Sequence, residues 1–160
     1  MFGRPVKGGV DLNIGEEEYE VSYLTDIPRD FLTAMIFALK EDKDFCVWVE
    51  LEYDTRMKII SDYYDTYLII NENLTVVKDI NKWMLAMEMY DDFHDFFDEW
   101  CNLQFYKSEE ELERFPESFL RLLENLSAIL QNARLYLQNT EMYDKSRQKE
   151  FYRNLGKRRM

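Results

Sequence analysis

From residue 81 onward apolar side chains recur at every third or fourth position, and the chain never returns to the two-residue alternation that dominates its first half. An alternating period builds strands with one buried face, and a period near 3.6 builds helices with one buried stripe. Strands gathered ahead of helices, rather than interleaved with them, point to an α+β fold. The expected architecture is an N-terminal antiparallel β-meander of about five strands with one helix, followed by two or three C-terminal helices packing on the sheet.

The first expected hairpin joins Val10–Ile14 to Tyr19–Leu24 across Gly15-Glu16-Glu17-Glu18. Asp26, as a side-chain cap, and Pro28, in the first turn, predict a helix over 28–41 with Phe31, Leu32, Met35, Ile36 and Leu39 on its inner face. Phe45 to Tyr53 is the clearest strand, with Phe45, Val47, Val49, Leu51 and Tyr53 sharing one face. Asp54-Thr55 turns into Arg56–Ile60, and Asn71-Glu72-Asn73 separates two further strand-rich runs, 63–70 and 74–80. Connections this short make the strands antiparallel. Glu50, Glu52, Asp54, Asp62 and Asp65 are expected on the sheet's outer face, where charge blocks edge-to-edge aggregation.

Asn81 can cap a long helix whose apolar stripe reads Trp83, Met84, Met87, Tyr90, Phe93, Phe97 and Trp100. Ser108-Glu109-Glu110-Glu111 has the form of a capping box. Pro116 is expected to end that short turn and start a last helix lined by Phe119, Leu122, Leu123, Leu126, Ile129, Leu130, Ala133 and Leu137. A break at Asn139-Thr140 precedes a final segment with Tyr143, Phe151, Tyr152 and Leu155.

Charge divides the chain into two parts. Residues 1–144 carry 13 Lys and Arg against 31 Asp and Glu, whereas residues 145–160 carry seven basic residues against Glu150 alone. The reading is one acidic domain, 1–144, and a basic C-terminal segment, 145–160. A body this negative repels phosphates and anionic lipid, so neither nucleic acid nor membrane is an expected partner; a basic protein is. The longest apolar stretch, Phe31 to Leu39, is too short to span a bilayer, and no apolar leader opens the chain, so a cytoplasmic location is expected. Cys46 and Cys101 are expected as reduced core thiols. The match of Asn73-Leu74-Thr75 and Asn125-Leu126-Ser127 to the glycosylation sequon is then a chance one.

The densest functional signal is residues 88–100, which hold six acids within a stretch, 83–106, that has no lysine or arginine. On one helix Glu88, Asp91, Asp95 and Asp98 fall at steps of three and four, a continuous carboxylate stripe whose members repel by about 0.2–0.5 kcal/mol per pair. With Asp92, Glu99 and Trp100 they form the expected partner-binding face of a non-catalytic module for a basic protein, of the type of an immunity protein or antitoxin against a nuclease toxin. Three alternatives compete, the first being a merely solvated helix face or one neutralised by the chain's own basic C-terminal segment folding back. Asp91, His94, Asp95 and Asp98 could hold a divalent metal in an enzyme, although His94 is the only histidine and dinuclear carboxylate sites need two. Exposed Trp and Tyr could instead meet a second copy in a homo-oligomer. No Gly-x-Ser-x-Gly elbow and no phosphate-binding glycine loop is present, and no cofactor is expected.

Overall fold

The computed structural model describes residues 1–22, 26–103 and 108–139, with side chains to residue 132. Tyr23 and Leu24 of the expected hairpin, the side chains of Ala133 and Leu137, the expected break at residue 140 and the basic segment 145–160 lie outside those residues.

The α+β class and the segregation of strands from later helices are as read from the sequence, with six strands in two sheets among the described residues rather than one meander of about five. Strands β1 (Val10–Ile14) and β2 (Glu17–Val21) form an antiparallel hairpin. Its turn is only Gly15-Glu16, with Gly15 at φ 62°, so Glu17 and Glu18 already belong to β2. Strands β3 (Phe45–Glu50), β4 (Arg56–Ser61), β5 (Thr66–Ile70) and β6 (Asn73–Val77) follow in chain order as a four-stranded antiparallel sheet. The β5–β6 turn places Asn71 at φ 47° and Glu72 at φ 69°, two positive φ values that match the strands' right-handed twist. The hairpin is hydrogen-bonded to the larger sheet at the Val21–Leu51 bridge and through the Ser22 amide, which donates to the Glu50 carbonyl at 3.0 Å.

Alternation along the strands sends Phe45, Val47, Val49, Met57, Ile59 and Leu68 inward, where they join Leu12, Ile14 and Val21 in one continuous core. Helix α1 (Ile27–Lys40) covers β3 with Phe31, Leu32, Met35 and Leu39 buried as expected, and Ala38 joins them while Ile36 is half-buried. Asp26 stands at its N-cap position but makes no side-chain capping bond. Strand β3 ends at Glu50, so Tyr53 leaves the strand's inner face altogether: it sits in the following turn at φ 61° and is 92% exposed.

Lys82 joins the C-terminal end of α1 to the next helix. It is 1% exposed, and its ammonium donates to the Lys43 carbonyl at 2.7 Å, approaches the Asp42 carboxylate at 4.0 Å and lies 4.2 Å from the Tyr63 ring centroid. The Tyr63 hydroxyl donates to Asp42. A buried cation is tolerated when carbonyls, a carboxylate and an aromatic face replace its water, and here the carbonyls lie just past a helix C-terminus, the negative end of its dipole.

Helix α2 (Lys82–Asp95) is capped by Asn81, whose side chain accepts from the Met84 amide at 3.0 Å. The expected long helix divides at Phe96, and α3 (Phe97–Asn102) follows. Its buried face is also rotated from the expected stripe: Lys82, Leu85, Ala86, Met89 and Phe93 are buried with Trp83, while Met84, Met87 and Tyr90 are half-buried. Helix α4 (Glu109–Asn139) starts at the expected capping box, with Ser108 and Glu111 exchanging bonds of 3.1 and 3.2 Å. It continues through Pro116 instead of stopping there. The capping box holds the turn before the proline, and Phe115 and Phe119, both buried, anchor the turns beside it, which offsets the roughly 3 kcal/mol that an interior proline costs. α4 packs chiefly on α1 and α2 rather than on the sheet. No helix among the described residues is long and apolar enough to cross a membrane.

The hairpin tip closes onto the larger sheet, since a Cβ built on Gly15 would stand 2.7 Å from Val77 Cγ1. With its positive φ added, Gly15→Ala is expected to lower stability by roughly 1–3 kcal/mol in denaturant unfolding; an unchanged midpoint would show that the tip is free to move.

Candidate functional site

The α2–α3 carboxylates do not form one stripe, because the helix axis breaks at Phe96, where φ is −110° and ψ 28°. Three of them serve the fold. Asp92 accepts from the Phe2 amide at 2.7 Å and lies 2.8 Å from the Met1 amino group, which is also 3.4 Å from Glu88. Glu99 faces Arg4 at 3.9 Å, and the Arg4 guanidinium lies over the Phe96 ring, 5.4 Å from its centroid. Positive groups at the start of the chain therefore answer Glu88, Asp92 and Glu99.

Trp100 has to be removed from the expected binding face. It is wholly buried, packed edge-on against Phe93 at 5.3 Å and Phe2 at 5.9 Å between ring centroids. Phe2 also meets Phe31 at 4.9 Å, so one residue near the start of the chain locks α1, α2 and α3 together. Asp91, Asp95 and Asp98 remain exposed, with no lysine or arginine facing them among the described residues, and His94 Nδ1 is 3.6 Å from Asp95. His94 itself is exposed and stacks on Tyr90 at 5.7 Å. Among the described residues no three His, Cys, Asp or Glu side chains are placed to hold a metal ion, so Asp91, His94, Asp95 and Asp98 do not converge as a metal centre.

The acids expected on the sheet's outer face mostly lie elsewhere. Asp62 accepts from the amides of Tyr64 and Asp65 at 2.7 and 2.9 Å, Asp65 accepts from the Asp79 amide at 2.7 Å, and Glu50 pairs with Arg56 at 2.9 Å. Asp62 thus builds its own turn, as short acidic side chains do when they bond backbone two or three residues on, and Asp65 ties down the turn after β6. Glu52 and Asp54 lie in the β3–β4 turn.

One acidic site was not singled out in the sequence. Register places Asp11 directly opposite Glu20 and Asn13 opposite Glu18 on the outward face of the β1–β2 hairpin. Like charges directly opposed on neighbouring strands destabilise a sheet. The Val21–Leu51 bridge then brings Glu52 beside Glu20, and two adjoining hollows of about 270 and 310 Å³ share Glu18, Tyr19 and Glu20. Glu52 and the exposed Tyr53 line the second hollow, Asp11 the first, and among the described residues no lysine or arginine lines either. The Glu20 carboxyl is held above the usual glutamate value, chiefly by the Glu52 carboxylate, with lesser contributions from burial, from its hydrogen bond to Glu52 and from Asp11. Among the described residues these carboxylates crowd one another without a lysine or arginine between them. The signal in the sequence was the Glu16-Glu17-Glu18-Tyr19-Glu20 run, but only the register and the bridge reveal which of its members meet Asp11 and Glu52.

No protein-family model, curated protein or solved structure matches the chain. The geometry of these residues is therefore the whole basis for assigning function.

The cysteines divide contrary to expectation. Cys46 is exposed on β3, and only Cys101 is half-buried, its thiol pushed up to about 11 by burial and by the nearby Asp98 carboxylate. In the folded protein at pH 8, maleimide is expected to label Cys46 rapidly and Cys101 slowly, with both reacting in denaturant; equal rates in the folded state would contradict this placement. Asp92→Ala is expected to cost about 1–3 kcal/mol by leaving the Phe2 amide without its acceptor, whereas Asp91→Ala stays within about 0.5 kcal/mol, both read from chemical denaturation.

Proposed function

We propose that the protein is a non-catalytic binding module for a basic protein partner, received at the Asp11, Glu20 and Glu52 hollow. The observation that carries this reading is the crowding of Glu20 against Glu52 and Asp11 in a concave surface to which the described residues supply no lysine or arginine. A lysine or arginine side chain entering there would relieve a repulsion already present in the free protein. Tyr53 stands at the rim with its ring exposed, a face on which a guanidinium can stack. Asp91, Asp95 and Asp98 add a second exposed acidic surface. Exposed ion pairs contribute only about 0.2–1 kcal/mol each, so affinity requires several of them, and the net charge of −12 acts mainly by steering a basic partner inward.

The narrower form of the proposal is an immunity protein or antitoxin. A nuclease needs a basic surface to hold nucleic acid, and an acidic module covering that surface blocks it. Such a module would work in the cytoplasm, a setting that suits two unbridged cysteines.

Titration with an arginine-rich peptide tests the reading. Binding is expected to weaken at least tenfold between about 50 and 500 mM salt, and by a similar factor in the Glu20→Gln/Glu52→Gln double variant. It should also strengthen as pH rises above 4.5, because Glu20 ionises late and only its anion attracts the peptide. Binding that ignores both salt and the double substitution would exclude the hollow as the receptor.

Stability supplies an independent check. A carboxyl raised in the fold keeps a proton that the unfolded chain gives up, so its repulsion costs stability above the ordinary value of 4.5 and costs nothing well below it. Glu20→Gln is therefore expected to raise the melting temperature at pH 7 and to leave it unchanged under acid conditions. A decrease at pH 7 would show that Glu20 is stabilising.

A further inference from the structure

We draw no further inference here: the strongest candidate, the outer edge of strand β6 with the exposed Leu74 and Val76 along it, carries nothing because nothing in the structure shows what covers it.

Discussion

A chain with twelve more acids than bases can fold only if its carboxylates are either given partners or kept apart. Much of the architecture follows from how that is done. Asp92 takes the amide of Phe2 and seats that ring among Phe31, Phe93 and Trp100, so one carboxylate fixes the start of the chain to three helices. Asp62 and Asp65 hold turn amides, Glu111 closes the first turn of α4, and Asp42 helps keep the buried ammonium of Lys82. Each of these acids sits where backbone amides or a cation lower the cost of its charge.

The hairpin hollow is the exception. The apolar alternation that buries Val10, Leu12 and Ile14 fixes the register with β2, and that register obliges Asp11 to face Glu20. Turning either acid away would turn an inward side chain out, because neighbouring strand residues point to opposite faces. The fold thus imposes this repulsion, which positive charge brought to the hollow would relieve.

Local signals gave the parts of the fold that depend on few residues. Helix α1, β3 as far as Glu50, the Asn81 cap and the Ser108 capping box are all where the sequence places them, because alternation, capping chemistry and helical spacing act within a few positions. What was missed depends on contacts distant in sequence. Trp100 fits a helix stripe equally well as an exposed anchor or as core, and only the arrival of Phe2 decides for the core. Pro116 signals a helix end, yet tertiary burial of Phe115 and Phe119 carries the helix through it. The acids near the strands read as an outer face because period alone does not say where a strand stops. They fall mostly in turns, and the face between them is apolar. The hollow needs both a register and a bridge thirty residues apart in sequence, from Val21 to Leu51, and neither is local.

The most direct measurement of the central claim is the titration of the Glu20 side-chain carboxyl by NMR, in the free protein and with an arginine-rich peptide bound. The account requires a midpoint above the ordinary 4.5 in the free protein and a fall when the peptide is added, as cations displace the shared proton. A free midpoint at or below 4.5, or one that the peptide leaves unmoved, would mean that these carboxylates are not crowded and that no cation is drawn to them.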